Sequence, residues 1–270
     1  MQDVQKTITQ RRSVRTFDET PLSNDDKQKI MEFAQKATNP YNVPIEFKYL
    51  DAKEHGLSCP VVKGTDLYVG GKIKKGQFAN EAFGFSFEKI VLFAQSLGVG
   101  TVWLGGTFNR IAYEKAMQLD QDQIMPCASP LGYVAEKMSL RESMMRKVVK
   151  ADKRKDFADL FFDHTFDTPL TKEKAGQLAF ALEMVRLAPS TVNKQPWRVV
   201  VAKNAVHFYL KRSFNFAGGD LDMQKIDMGI ALCHFETAAK SQGLNVSFAL
   251  QDPNLATDQN LLYIASYLLG

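Results

Sequence analysis

Two distant stretches of the chain repeat the same residues, and this repeat constrains the fold more than any other feature. Residues 16–23 read TFDETPLS and residues 165–171 read TFDTPLT. In each copy a hydroxyl residue, Ser23 or Thr171, precedes an amphipathic segment, as an N-cap residue precedes a helix. A signature that recurs in this way predicts that one structural unit occurs twice in the chain.

The turns that end these two predicted helices also correspond. Apolar residues recur at helical spacing after each N-cap, and proline-containing turns follow at residues 37–44 and at residues 188–197. A strand-like run comes next in the second copy, at residues 198–201. Each copy is therefore predicted to begin with a helix, a turn and a strand.

A second pair of matching segments lies later in each copy. Residues 87–98 and residues 229–243 each predict a long, largely buried helix that a glycine closes. Strand-like residues follow, at 101–104 and at 245–249. The order helix, strand, helix, strand thus occurs twice, and we expect an α+β fold whose two long buried helices pack at the centre.

The two copies meet in a charged stretch at residues 150–163. This position gives a first half of residues 1–155 and a second half of residues 156–270. A chain of 270 residues, 45% of them hydrophobic, is long enough to bury a core that both halves share. We expect the pseudo-symmetric halves to form one compact unit.

Composition argues against several classes of protein. The net charge of +4 is too small to indicate a broad nucleic-acid surface, although it allows a local anion site. Cys59, Cys127 and Cys233 lie far apart, without metal-ligand spacing, which favours reduced thiols in the cytoplasm. Without an apolar run long enough for a signal peptide or a bilayer span, the sequence predicts a cytoplasmic protein with no membrane partner and no metal site.

A basic cluster opens the chain just before the first signature, at Arg11, Arg12, Ser13 and Arg15. Guanidinium groups hold phosphate oxygens bidentately, and a serine adds a neutral donor. The cluster, followed by Phe17, resembles the opening motif of the FMN-dependent nitroreductase family. The resemblance implies that these residues hold the phosphate and ribityl chain of a flavin; a solvated basic segment is the simpler alternative.

The turn at residues 188–197 reads APSTVNKQPW and resembles a second motif of that family almost throughout. In the family this loop wraps the flavin from the partner subunit. The resemblance implies cofactor-binding roles for five residues of the turn: Pro189, Ser190, Thr191, Asn193 and Gln195. It implies that Trp197 anchors the loop in the core. The alternative is a turn whose prolines simply end a helix.

Two further segments resemble flavin-contacting parts of the family. Within GVGTVWLGG, residues 98–106, the resemblance places Leu104, Gly105 and Gly106 in the loop whose backbone N–H faces the flavin N5, where glycine permits close approach. Residues 129–133 resemble the closing strand. Lys153 and Arg154 then correspond to basic phosphate-side residues, a role for which three other cations compete: Arg141, Arg146 and Lys147.

Family members are homodimers with two flavin sites across the interface, and this chain resembles such a dimer fused into one polypeptide. In the second half the positions matching the basic cluster are apolar or unsuited to phosphate: Leu160, Phe161, Phe162 and His164. In the first half the loop at residues 39–44 has lost the Gln-Pro-Trp pattern. One intact site remains, so the resemblance implies one FMN per chain. It allows a monomer, and further dimerisation stays open.

The resemblance implies an FMN-dependent NAD(P)H oxidoreductase with a nitroreductase-like fold. NAD(P)H would deliver hydride to the flavin in a ping-pong cycle, and a nitroaromatic, a quinone or a similar small acceptor would then take it up. No catalytic side chain is predicted, because the flavin carries the chemistry. Several aromatic residues either line a cleft over the flavin or belong to the core: Phe78, Phe83, Phe85, Phe214 and Phe216.

Other functions remain as alternatives. A protein of the same fold could use FMN for dehalogenation, enoyl reduction or flavin breakdown, or could store flavin without turnover. A nucleic-acid binder built on the basic residues 141–155 is disfavoured, because that stretch lacks interleaved aromatic residues.

Overall fold

The first half alternates helices with short antiparallel strands. The computed structural model describes residues 3–213, 217–255 and 258–270, so Phe214 and Phe216 lie outside the described residues. The elements up to residue 155 are α1 (Val4–Gln10), α2 (Asn24–Lys36), β1 (Ile45–Asp51), α3 (Ala52–His55), β2 (Leu67–Lys74), α4 (Ala79–Ser96), β3 (Val99–Gly100), α5 (Arg110–Met117), β4 (Gln123–Ile124), β5 (Ala128–Pro130), β6 (Gly132–Tyr133) and α6 (Leu140–Val148).

The second half contains longer strands and the second long helix. Its elements are α7 (Phe157–Leu160), β7 (Phe161–Asp163), α8 (Lys172–Ala175), a 3-10 turn (Gly176–Leu178), α9 (Ala179–Leu187), a second 3-10 turn (Thr191–Asn193), β8 (Trp197–Ala202), β9 (Ala205–Lys211), β10 (Ala217–Gly218), β11 (Leu221–Asp222), α10 (Met223–Ser241), β12 (Val246–Ala249) and β13 (Leu261–Leu269). None of the helices in the described ranges is long and apolar enough to cross a membrane.

Strand pairing repeats as well. In the first half β2 pairs antiparallel with both β1 and β5, and in the second half β9 pairs antiparallel with both β8 and β13. The strands that follow the two long helices also correspond, since β3 pairs with β6 and β12 pairs with β13. The predicted duplication is thus confirmed in the topology. The sequence prediction missed β2 and β9, which lie within the stretches least like the family.

Both predicted N-caps are present, but only one of the two helices is continuous. The Ser23 hydroxyl accepts a hydrogen bond from the Asp26 N–H, and the Thr171 hydroxyl accepts one from the Lys174 N–H. After Thr171, however, Gly176 takes φ +53° and ψ −126°, which interrupts the helix between α8 and α9. The prediction of one helix there was wrong, because glycine adopts this conformation without the steric cost of a side chain.

The central helices α4 and α10 cross at two glycines. A Cβ atom added to Gly84 would lie 2.2 Å from the carbonyl oxygen of Ile226, and one added to Gly229 would lie 2.1 Å from that of Glu81. Gly84 follows Glu81 at the same interval as Gly229 follows Ile226, so the contact is reciprocal. Only glycine allows the two backbones to approach this closely, and the crossing marks the pseudo-twofold axis.

The core extends through both halves around these helices. Phe83 and Phe85 of α4 are fully buried and belong to this core, together with Phe208 and Phe235 from the second half. Phe78 is half-buried and stacks on Tyr41, with 5.0 Å between ring centroids. Of the aromatic residues proposed for a cleft, Phe83 and Phe85 are therefore packing residues.

The segment predicted as a strand at residues 101–104 is mostly irregular. Its strand-like pairings are single β-bridges, from Thr101 to Ser13 and from Leu104 to Ala128. The regular strand, β3, ends at Gly100 instead. This segment lies beside the N-terminal basic cluster as a result.

Candidate functional site

Three arginines from the predicted site carry buried donors without partners. The Nε atoms of Arg11, Arg15 and Arg154 are inaccessible to solvent and make no hydrogen bond within the described residues. Burial lowers the pKa of all three guanidinium groups, that of Arg154 to about 10, and repulsion from Arg11 and Arg186 adds to the effect at Arg154. Cations of this kind, each with a buried Nε donor that lacks a partner, are suited to an anionic ligand.

Arg12 and Ser13 have different surroundings. The Arg12 guanidinium donates to Glu142 Oε1 at 2.8 Å, and the other oxygen of this buried carboxylate accepts from the Arg15 N–H and from the Thr16 hydroxyl. Arg12 thus anchors α6 to the N-terminal segment. Ser13 lies in the β-bridge to Thr101, so the basic cluster adjoins the segment that leads to Leu104.

The second-half loop folds onto the segment that connects the two halves. The Asn193 amide donates to the carbonyl oxygens of Lys150 and Lys153 at 2.7 and 2.9 Å, and its oxygen accepts from the Arg154 guanidinium at 3.3 Å. The Gln195 side-chain oxygen accepts from the Lys155 N–H at 2.8 Å. These contacts bring Asn193 and Gln195 to the predicted basic residues Lys153 and Arg154.

The loop has an unusual backbone. Val192, Asn193 and Gln195 adopt positive φ angles of 43°, 58° and 50°, a conformation uncommon outside glycine. The Ser190 hydroxyl stabilises the turn by accepting from the Gln195 N–H at 2.8 Å. Such strain, of order 1–3 kcal/mol per residue, persists only where the surroundings impose it and is concentrated at ligand sites. Trp197 is fully buried, which confirms its predicted packing role.

The glycine-rich loop is held from two sides. Leu104 is buried and exchanges backbone hydrogen bonds of 2.9 and 3.1 Å with Ala128. The Gly105 carbonyl oxygen accepts from Arg110 at 2.7 Å, and a Cβ atom on Gly105 would lie 2.4 Å from Met223 Cε. By contrast, nothing lies within 4 Å of a Cβ atom built on Gly106, so one side of this loop is open.

Asp227, near the start of α10, was missed by the sequence analysis. Its Oδ1 accepts from both the N–H and the hydroxyl of Thr191, at 2.9 and 3.1 Å. Burial raises the pKa of this carboxyl to about 8, and its Oδ2 has no partner within the described residues. An aspartate between the apolar Ile226 and Met228 was the available signal, because an acidic residue on a buried helix face needs an explanation.

The two halves of the predicted site are close in space. Arg11 is near enough to Arg154 to lower its pKa by repulsion, and Arg154 in turn donates to Asn193 of the second-half loop. A depression of about 380 Å³ lies on the same side of the molecule, and Arg146 and Lys153 are among its lining residues. The N-terminal cluster, the connecting segment and the second-half loop therefore adjoin one another.

The symmetry-related positions lack this chemistry. Leu160 and Phe161 are fully buried, and Phe161 lies in β7, which pairs parallel with β8. His164 is exposed and contacts Asp163. In the first half, Asn39 holds its own loop by donating to the Val43 carbonyl oxygen at 2.8 Å. The cluster of arginines with partnerless Nε donors thus has no counterpart at these positions.

A family model described as "Putative TM nitroreductase" matches residues 3–239, most of the chain. The chain belongs to this nitroreductase family. It is therefore an oxidoreductase of the nitroreductase type, and the duplicated α+β architecture is the fold that the sequence predicted. No curated protein is a significant match to the sequence.

A solved structure from Thermotoga maritima, described as a "putative nitroreductase", has the same fold. It aligns with 99% of this chain and 93% of its own, at 19% identity and a TM-score of 0.64. An FMN-dependent nitroreductase from Clostridium difficile aligns with 52% of this chain and 94% of its own, at 18% identity and a TM-score of 0.42. A nitroreductase family protein from Clostridium novyi aligns with 50% of this chain and 86% of its own, at 19% identity and a TM-score of 0.43.

Proposed function

We propose that this nitroreductase family member binds one FMN per chain and uses it to pass hydride from NAD(P)H to a small oxidised acceptor such as a nitroaromatic or a quinone. The buried, unpaired Nε donors of Arg11, Arg15 and Arg154 support the proposal most directly. FMN carries a phosphate dianion, the kind of group that such donors bind. FMN supplies the redox chemistry when bound, so the chain needs only to hold and orient it.

The division of labour among the residues follows from their contacts. Arg11, Arg15, Arg154 and the nearby Lys153 would bind the phosphate. Arg12 would act indirectly, because Glu142 already occupies its guanidinium group. The loop residues Pro189, Ser190, Thr191, Asn193 and Gln195 would enclose the cofactor from the second half. Leu104, Gly105 and Gly106 would border its ring, with the open side of Gly106 allowing close approach.

One site per chain is proposed because the two halves have diverged in opposite ways. The first half keeps the basic cluster, and the second half keeps the proline-serine-asparagine loop. The basic cluster and this loop would form one of the two symmetry-related sites, and the other site would lack both. Since one chain supplies both parts, a monomer would be competent, whereas a single half would not.

The absorption spectrum of the purified protein tests the binding part of the proposal. We expect the absorption bands of bound flavin, and denaturation should release about one FMN per chain. Two FMN per chain would contradict the one-site proposal, and a protein that takes up no flavin when supplied with FMN would contradict the whole.

Anaerobic addition of NADH or of NADPH tests the turnover. We expect at least one of them to bleach the flavin, and a nitroaromatic or quinone to restore its colour. If the flavin binds but neither nucleotide bleaches it, the protein is a flavin-storing module. If a nucleotide bleaches the flavin but neither acceptor restores its colour, the protein catalyses another FMN reaction of this fold, such as dehalogenation or enoyl reduction.

A further inference from the structure

The first turns of α10 contact both loops that the proposed function places around the flavin ring. Met223 packs against Gly105, whose added Cβ atom would meet its Cε at 2.4 Å. One turn later, Asp227 Oδ1 accepts from the N–H and the hydroxyl of Thr191. Asp227 is therefore the acidic side chain that joins α10 to the second-half loop.

The carboxyl of Asp227 is only half satisfied. The residue is 2% exposed, and its Oδ2 is buried without a partner in the described part of the chain. Burial raises the pKa of Asp227 to about 8, which favours the protonated carboxyl at neutral pH. Because Oδ1 accepts both bonds from Thr191, the proton resides on Oδ2. An unpaired buried donor of this kind destabilises a protein unless a ligand completes it.

Asp227 occurs on only one side of the pseudo-twofold axis. It lies two residues before Gly229, and the residue two positions before the equivalent Gly84 is Ala82, which is fully buried. The carboxyl is thus present in the half that keeps the complete flavin loop and absent from the half that has lost it. Helix α4 has no acid at the position equivalent to Asp227; its buried acid Glu81 lies one residue earlier and pairs with Lys225.

We propose that Asp227 is a hydrogen-bond donor to the flavin ring, with one carboxyl oxygen fixed by Thr191 and the other directed at a carbonyl oxygen or ring nitrogen of the cofactor. The proposal rests on the proposed function, because it needs flavin between the two loops. Groups of this type tune the electronic properties of a bound flavin. Asp227 would thus act on the cofactor itself, beyond any role in holding the loop.

The charged neighbours of Asp227 do not neutralise it. Asp222, the N-cap residue of α10, raises the pKa of Asp227 by repulsion, and Lys225 of α10 pairs with Glu81 of α4. Cys127, in the segment before β5, is a further neighbour, and burial raises the pKa of its thiol to about 12. No lysine or arginine forms an ion pair with Asp227 within the described ranges. Ionised Asp227 would therefore leave an uncompensated charge beside the cofactor.

Titration of the flavin-free protein with FMN at several pH values tests the proposal. If the neutral carboxyl donates to flavin, wild-type affinity falls above about pH 8, by roughly tenfold per pH unit, because binding must then take up a proton. Asp227→Asn keeps a neutral donor, so its affinity stays nearly constant from about pH 7 to 9. Asp227→Leu lacks the donor and binds FMN roughly tenfold or more weakly at neutral pH.

The matched control is Asp220→Asn, at an exposed carboxylate that pairs with Lys75. We expect this variant to follow the wild-type pH profile. Equal pH profiles for wild type and Asp227→Asn would overturn the proposal while leaving the proposed function intact, because a carboxyl that merely holds Thr191 would grip it at least as well when ionised. Failure of the wild type and of every variant to bind FMN at any pH would instead reject the proposed function, and the proposal with it.

Discussion

Glu88 of α4 and His234 of α10 form a fully buried pair across the axis that relates the two halves, with 2.9 Å between Oε1 and Nε2. The other imidazole nitrogen lies 2.9 Å from the Met184 carbonyl oxygen, which can only accept, so this nitrogen carries a proton. The second oxygen of Glu88 accepts from the Trp103 indole at 2.8 Å. The pair therefore ties both central helices to the segment beside the candidate site.

Glu88→Ala is expected to destabilise the protein by about 3–5 kcal/mol, because it leaves the imidazole Nε2 and the indole N–H without partners in the core. Urea unfolding followed by circular dichroism measures the effect. Glu136→Ala is the matched control, since Glu136 is exposed and makes no side-chain contact within the described residues. A loss below about 1 kcal/mol for Glu88→Ala would show that the pair contributes little to stability.

The central glycine crossing gives a second prediction. Gly84→Ala places a Cβ atom 2.2 Å from the Ile226 carbonyl oxygen, so the helices must separate. We expect a loss of about 1–3 kcal/mol or more, as for other overpacked cores. Gly106→Ala is the matched control, because nothing lies within 4 Å of its added Cβ atom, and its unfolding should be unchanged. Equal stability of the two variants would contradict the close crossing.

Much of this architecture could be predicted from sequence because the repeat is local and visible. The caps at Ser23 and Thr171, the strand β8 and the two long helices were confirmed. The strands β2 and β9 were not predicted, because they lie outside the segments that recur between the two halves. The break at Gly176 was missed for a different reason: its apolar spacing on either side is helical, and a single glycine does not reveal which backbone conformation it takes.

The sequence predicted which segments form the candidate site, but it did not predict the contacts between their residues. Sequence motifs pointed to Arg11, Arg154 and Asn193, but only the folded chain shows that Arg154 donates to Asn193 and lies near Arg11. Arg12 could not be distinguished from its neighbours, since its partner Glu142 is remote in sequence. Asp227 was overlooked because it belongs to no motif, and its unpaired oxygen is a property of packing.

The arginine cluster predicts opposite effects on binding and on stability. Arg11→Ala and Arg15→Ala should each weaken FMN binding roughly 10- to 150-fold, the value of a charge-assisted hydrogen bond of about 1.5–3 kcal/mol. The same substitutions should weaken the binding of riboflavin, which lacks the phosphate, much less. The flavin-free variants should be at least as stable as wild type, because each loses a guanidinium group whose Nε is buried without a partner.

Fluorescence titrations with both flavins measure these affinities. The matched control is Arg141→Ala, whose exposed side chain makes no contact within the described residues and which should bind FMN as wild type does. Equal losses for FMN and riboflavin in Arg11→Ala would place this arginine away from the phosphate.

Asn193 is expected to set the position of the second-half loop. Asn193→Ala removes its two amide hydrogen bonds to the Lys150 and Lys153 carbonyl oxygens and the acceptor for Arg154. We expect destabilisation of about 1–3 kcal/mol and faster hydrogen exchange in residues 190–195, together with weaker FMN binding. Asn204→Ala, at an exposed turn residue, is the matched control. Unchanged exchange in the loop would contradict this role.

The buried acid gives a pH-dependent stability that can be measured without any flavin. Burial raises the pKa of Asp227 to about 8 from 3.8, so between these values the folded chain holds a proton that the unfolded chain releases. Titration of Asp227 should then lower the free energy of unfolding by about 1.4 kcal/mol per pH unit as the pH rises towards 8, and its contribution should be constant above that pH.

Urea unfolding at about pH 5, 7 and 9 measures this effect in wild type and in Asp227→Asn. The variant has no carboxyl at residue 227, so its free energy of unfolding lacks this contribution to the pH dependence. The difference in free energy of unfolding between Asp227→Asn and wild type should therefore change in favour of the variant from pH 5 to pH 7. The same difference for Asp220→Asn should not change. Parallel curves for wild type and Asp227→Asn would mean that the carboxyl titrates near its ordinary pKa and is solvated in the folded chain.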